Sequence, residues 1–289
     1  MTRNDPAIGI AIWLLKGPLP DRVRWAIANG FTGVSLLQKV MEVDQAECVE
    51  AASIIRDAGL NVTYHGNFGH KLLDGNRIDR DFVSRMMENI LWWHANTGGV
   101  KSACFDSVSS IGDKGQRAVL WDVNTEAARL FSESLHAEGI GVGIENAAGP
   151  GTFCSIADFA RFGEDCARFS PGMLLDLGHA NIHIRSDAVA GETSIGEYLA
   201  ANPLEILEVH VSDNRGQRDE HRHVGWGNMD LDAAILALCQ RHFNRQITVE
   251  VCVDIQAGLY GASLDDPEQL EPILVTRAAI ADSLARHSS

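Results

Sequence analysis

The stretch Glu138-Gly139-Ile140-Gly141-Val142-Gly143-Ile144-Glu145-Asn146 holds a helix stop, an apolar strand and a charged strand end. A glycine just past the last helical turn takes the left-handed backbone that ends a helix. The apolar run after it suits a strand covered on both faces of a parallel sheet. It then stops at a carboxylate. The same grammar recurs elsewhere, since Asn29-Gly30 and Ala58-Gly59 also precede short apolar runs. Strands are expected over Ile8–Trp13, Gly33–Leu37, Asn61–His65, Val100–Phe105, Ile140–Glu145, Gly172–Asp176, Ile206–Val211 and Ile247–Val251. Helical periodicity places helices over Arg22–Asn29, Asp44–Ala58, Asp79–Asn96, Thr125–Ala137, Ile156–Arg168, Ile195–Ala201, Leu231–His242 and Pro267–Ala285, with Asp44 and Ser155 as N-caps. Eight alternations of strand and helix imply a parallel sheet closed on itself, an α/β (β/α)₈ TIM barrel forming a single domain over 1–289. The competing open, doubly wound sheet announces itself by a glycine-rich phosphate loop after the first strand, and Lys16-Gly17-Pro18 is not one.

Bulk composition agrees. The 289 residues fit one barrel of roughly 250 residues with extended loops. Acidic residues number 39 against 24 basic ones, a net charge of −15. A field of that sign repels phosphate backbones, so nucleic acid is not expected as the main partner, whereas a small-molecule substrate is. The six cysteines form no C-x-x-C pair and read as reduced thiols. The first residues lack a signal-peptide pattern and no apolar run reaches membrane-spanning length. A cytoplasmic protein with no membrane partner is the expectation.

In such barrels chemistry sits where the strands end. Here the third strand ends in His65, the fifth in Glu145, the sixth in Asp176, the seventh in His210 and the eighth in Glu250. Each alone has an ordinary explanation: a helix cap for Asp176, a salt bridge for Glu145 or Glu250, a satisfied core imidazole for His210. Together, on consecutive strands, they are best satisfied by a cation. Three carboxylates and one imidazole suit a single divalent ion, Mn²⁺, Mg²⁺, Co²⁺ or Zn²⁺, rather than a structural thiolate zinc. Trp13 and Trp226 fall near the rim and could wall a sugar face or simply pack. Asp219, His221 and His223 lie in the long loop after the seventh strand, either as a second metal position or as a solvated loop. Trp92 and Trp93 belong to an outer helix, as core or subunit contact, which leaves a homo-oligomer open.

At Gly143-Ile144-Glu145-Asn146, at Asp176-Leu177-Gly178-His179 and above all from His210 to Gly227, the chain resembles the xylose isomerase-like barrel superfamily of sugar isomerases and epimerases, to which endonuclease IV is related. In the last segment His210, Asp213-Asn214, Gly216, Asp219, His221, Gly225 and Gly227 carry the pattern. The resemblance implies that Glu145, Asp176, His210 and Glu250 ligate the metal, that Glu145 and Glu250 move protons with His179 assisting, and that His65 and Arg215 contact substrate. It implies isomerisation or epimerisation of a sugar or related hydroxy-carbonyl compound through a metal-stabilised enediolate. Metal-dependent lyase or dehydratase chemistry is the rival. An endonuclease IV-type phosphodiesterase is another, in which Asp219 and His221 would serve a further metal and His70 could match a ligand. The histidine that family carries on its fourth strand is missing from Ser102-Ala103-Cys104-Phe105-Asp106, where Cys104 or Asp106 would have to substitute for it. The second glutamate of ketose 3-epimerases is likewise missing after Glu145, where Asn146-Ala147-Ala148-Gly149-Pro150-Gly151-Thr152 stands.

Overall fold

The computed structural model describes residues 5–66, 69–75, 77–108, 114–148, 152–186, 191–255 and 257–287. Eight parallel strands close into a barrel: β1 (Ala7–Ala11), β2 (Gly33–Leu37), β3 (Asn61–Gly66), β4 (Val100–Asp106), β5 (Gly141–Glu145), β6 (Gly172–Asp176), β7 (Ile206–Val211) and β8 (Gln246–Val249). Each strand pairs with its neighbours in sequence, and β8 closes on β1. All eight expected strands are present. The boundaries shift by a residue or two where a strand bends into its loop; Ile12–Leu14 forms a 3₁₀ turn rather than the end of β1.

Around the barrel run α1 (Leu19–Ala28), α2 (Gln45–Asp57), α3 (Arg80–Thr97), α4 (Lys114–Leu135), α5 (Ile156–Asp165), α6 (Leu177–Ser186), α7 (Ile195–Ala201), α8 (Leu231–Gln240) and α9 (Pro267–His287). Asp44 and Ser155 cap their helices as expected, accepting from the amides of Ala46 and Asp158. Three helices depart from the expectation. α1 starts at Leu19 because Pro20, with its preset φ and missing N–H, suits the first turn. α4 begins eleven residues before Thr125. α6 was not expected at all: it follows β6 without a loop, and its residues Leu177, Gly178, Ala180, Asn181, Ile182 and His183 are all buried. A helix buried nearly all round has no amphipathic stripe for periodicity to detect.

The apolar core fills the shell between strands and helices, with Trp93, Tyr64, Phe131 and Phe159 among its fully buried side chains. Trp93 thus belongs to the core, and Trp92 meets it edge-on at 4.9 Å. The inside of the barrel is different, because β7 and β8 carry Glu208, Gln246 and Thr248 inward, fully buried. Gly9 and Gly33 make room for them: a Cβ at either would lie 2.5 Å or less from the Gln246 amide. All six cysteines are free. No helix among the described residues is long and apolar enough to cross a membrane.

Candidate active site and metal centre

Register decides which strand ends meet. Asp106 on β4 pairs with Glu145 on β5, and Asp176 on β6 pairs with His210 on β7. Glu250 follows β8 directly and donates its amide to the Val211 carbonyl at 3.0 Å. The side chains of Glu145, Asp176, His210 and Glu250 therefore reach one level of the rim. All four are buried, and each contributes a ligand atom within 4.8 Å of the others.

Local sequence explains the convergence. Asn146, straight after Glu145, clamps β5 to β6: its amide nitrogen donates to the Asp176 carbonyl at 2.9 Å and its oxygen accepts the Asp176 N–H at 2.7 Å. One carboxylate oxygen of Asp176 accepts from the His179 amide at 2.7 Å and caps α6. The other, Oδ2, is buried with no hydrogen-bond partner among the described residues. Asp176 is thus a helix cap on one side and has a free buried oxygen on the other. His210 Nδ1 lies 2.8 Å from Glu250 Oε2, and its Nε2 lies 3.3 Å from Glu208 Oε1.

Two further groups flank these four. Asp106 Oδ1 lies 2.8 Å from His65 Nε2, which is also 3.5 Å from Glu145 Oε2. Across the rim, Asp219 Oδ2 is 2.8 Å from His221 Nε2 and 3.3 Å from His179 Nε2. Each of these trios also has metal-ligand spacing. In the sequence Asp106 stands out only as a stand-in for the missing endonuclease IV histidine, and the structure places it against His65. It stands at the fourth-strand end, where the endonuclease IV pattern would require a histidine. The His70 side chain lies outside the described residues.

Charge is distributed unevenly. Burial, together with Asp106, Asp176 and Glu250, pushes the Glu145 carboxyl well above its ordinary range. Burial also raises Asp176, outweighing the imidazoles of His179 and His221. For Glu250 burial acts upward too, but His210, His221 and His65 overcome it and hold this carboxylate well below its usual value. Burial works against the charge on His179 and His221, yet neighbouring carboxylates, Asp219 among them for both, raise each to about 10. His221 also takes a left-handed φ of 44°, held by Cys252 N–H donating to its carbonyl at 2.8 Å. Residues kept in such strained conformations cluster at functional sites.

Trp13 stacks on His65 at 5.5 Å between ring centroids and lies 6.3 Å from His210, so it reaches the cluster. Arg215 and Trp226 instead pair with each other, guanidinium over indole at 4.2 Å. Neither borders the open cavity of about 230 Å³ beside the cluster, whose wall includes Asp106, Glu145, Asn146, His179 and Asp219. The His223 ring contacts its own loop, 3.0 Å from the Val224 carbonyl. Asp213 turns out to hold that loop together, accepting from the amides of Asn214, Gly225, Gly227 and Met229 at 2.8–3.0 Å. Gly227 is required there, since a Cβ would sit 2.1 Å from the Asn214 carbonyl.

A divalent ion fits what these residues present. Asp176 Oδ2 lacks a partner, and mutually repelling carboxylates face one another in a buried space. The donors are oxygen and imidazole with no thiolate, the choice of a hard or borderline cation.

The family model described as "Xylose isomerase-like TIM barrel" matches residues 23–271. Solved structures that superpose on the chain include an L-ribulose 3-epimerase (18% identity, TM-score 0.69, covering 98% of this chain and 96% of that one). A D-tagatose 3-epimerase-like protein (14%, TM-score 0.74, 98% of both chains) is a second. A D-psicose 3-epimerase solved in the presence of D-fructose (17%, TM-score 0.71, 98% and 100%) is a third. No curated protein matches the chain by sequence. With its closed eight-strand barrel and a family match over most of its length, the chain belongs to the xylose isomerase-like TIM barrel family.

Proposed function

We propose that this protein is a divalent-metal-dependent isomerase or epimerase of a sugar or a related hydroxy-carbonyl compound. The observation that carries this reading is the group Glu145, Asp176, His210 and Glu250, buried together at the strand ends with one ligand atom each within 4.8 Å of the others. Two carboxylates on separate strands beside one ion site supply a proton acceptor and a proton donor to the same substrate. The superposing sugar 3-epimerases support the same chemistry.

Glu145, Asp176, His210 and Glu250 would hold the ion, and a bound ion supplies positive charge to the substrate's carbonyl and hydroxyl oxygens, acidifying the adjacent C–H. Glu250, kept ionised by its imidazole neighbours, removes the proton on carbon. Glu145, which retains a proton more readily, returns one from its own side of the site. His179 donates Nδ1–H to the Asn146 carbonyl at 2.7 Å, which fixes its ring. Its other nitrogen faces Asp219 Oδ2 at 3.3 Å on the wall of the cavity, where a substrate oxygen would share its N–H. Trp13 against His65 gives an apolar wall for a sugar's C–H face.

The substrate is most simply unphosphorylated. Among the described residues bordering the cavity, Asp106, Glu145 and Asp219 are acidic and none is lysine or arginine. Lyase or dehydratase chemistry is a second reading, supported by His179, whose raised basicity suits protonation of a departing hydroxyl. The flanking trio of His179, Asp219 and His221 offers a second ion a place, so ion count is part of the test. Metal-loaded protein incubated with ketohexoses in D₂O should give the epimer or aldose with deuterium at the reacting carbon. Turnover without deuterium would sink the proton-transfer mechanism, and a product lighter by one water would favour the dehydratase reading.

A further inference from the structure

Below the rim, the barrel interior holds a buried carboxylate that the chemistry above does not use. Glu208 lies two residues before His210 on β7 and is fully buried. Its Oε1 accepts from the Thr63 hydroxyl at 2.7 Å and the Thr248 hydroxyl at 2.6 Å. Both hydroxyls in turn accept from the Gln246 amide nitrogen at 2.9 Å, and the Gln246 oxygen accepts from the Asn61 amide at 2.8 Å. The direction of this chain is forced. A threonine hydroxyl has one proton, and where it accepts from Gln246 it has that proton to give to Glu208. Glu208 is therefore locked as an acceptor, and the same Oε1 lies 3.3 Å from His210 Nε2. No described group makes a hydrogen bond to that nitrogen, and the Glu208 oxygen is the acceptor set beside it at ion-pair distance.

We propose that Glu208 is a positioning residue, which holds the proton of His210 on Nε2 and so turns the Nδ1 lone pair toward the rim as a ligand. His210 Nδ1 and Glu250 Oε2 then face each other at 2.8 Å as two acceptors, an arrangement stable only when something positive lies between them. An outer carboxylate that orients a ligating imidazole fixes its tautomer and strengthens it as a donor. In this chain that carboxylate comes from the same strand, one inward-facing position below the ligand, and the Asn61–Gln246–threonine chain anchors it. Four strand positions scattered from Asn61 to Thr248 thus serve one imidazole. The proposal rests on the ion-binding half of the function above and does not depend on which sugar is turned over.

The test reads the tautomer and the affinity, not turnover. In ¹⁵N-histidine-labelled protein loaded with Zn²⁺ or Mg²⁺, two-bond ¹H–¹⁵N spectra should show His210 protonated at Nε2, its signal assigned by loss in His210→Asn. Calorimetric titration with the same ions should show Glu208→Leu binding roughly 10- to 100-fold more weakly, the loss typical of removing such an outer partner. Glu208→Gln, which keeps an acceptor oxygen, should retain the tautomer and lose less. Finding His210 protonated at Nδ1 with the ion on Nε2 in the unaltered protein would overturn the proposal, and this needs no variant to fold. A folded Glu208→Leu with unchanged affinity and tautomer would overturn it as well. Protein that binds the ion with this tautomer yet acts on no sugar would refute the proposed function and leave this assignment standing.

Discussion

Two levels of the same barrel hold buried carboxylates under opposite conditions. Glu208, inside the barrel, is surrounded by donors: two hydroxyls and an imidazole outweigh the cost of burial and hold it below its ordinary range. Glu145 and Asp176, at the rim, are crowded by other acids, and both are pushed up. The lower carboxylate gathers its donors on Oε1, while its Oε2, like Asp176 Oδ2, has no partner among the described residues. The upper ones are satisfied only by a proton or a cation. Buried carboxylates that crowd one another are therefore the better marker of a site, and one that gathers donors marks its scaffold.

This contrast can be broken by experiment. The largest expected effect is on turnover: Glu250→Gln should lower kcat by roughly 10²- to 10⁴-fold, the range for loss of a general acid or base. Metal analysis of the same variant should still find the ion, and steady-state kinetics on the loaded protein checks both. Next comes ion affinity. Asp176→Ala removes the unpartnered Oδ2 and should weaken ion binding by more than the roughly 10- to 100-fold expected for an outer partner such as Glu208. In the presence of chelator the same change should cost only about 1 kcal/mol, for the lost cap of α6, as read by denaturant unfolding.

A smaller effect sharpens the comparison from below. Thr248→Val deletes one donor to Glu208 and should destabilise the protein by about 1–3 kcal/mol even without metal, whereas Thr248→Ser should not.

The most gradual effect is with pH. In metal-free protein, His179 and His221 are raised from 6.5 to about 10, so their stabilising contribution is complete below pH 6.5 and is lost as pH rises through about 10. Asp219 is held below its ordinary 3.8, against burial, by His179 and His221, and its contribution is present above that value and lost in stronger acid. Thermal melts with chelator should show stability falling between pH 7 and pH 10. Ion affinity should instead rise with pH, because a proton on His210, held there against burial by Glu250 and Glu208, competes with the ion. Calorimetry at several pH values would detect this, and a flat profile in both measurements would remove the contrast between the two levels.

Much of the rim was legible because a parallel barrel repeats locally. Glu145, Asp176 and His210 close short apolar runs and Glu250 follows one directly, so reading where each run stops finds all four. Asp106 stands where the resemblance implies a histidine, and its sequence position alone does not mark it as the partner of His65. Helix α6 was hidden by its own burial. Glu208 resembled a polar interruption of β7, and nothing near it in sequence names its partners: Thr63 is 145 residues away and Thr248 is 40. The pairing of Arg215 with Trp226, rather than with the cavity, depends on how the long loop closes over Asp213.

What the sequence alone determined was the eight-fold alternation and the set of strand-end acids and imidazoles, since both are written in runs of five or six residues. What only the tertiary structure decided was which of those groups meet at one height, which are matched by donors and which face like charge. That outcome depends on the register between neighbouring strands and on closure of β8 against β1. A one-residue slip between parallel strands would turn every inward side chain outward, and no local pattern in the chain records how the register is set.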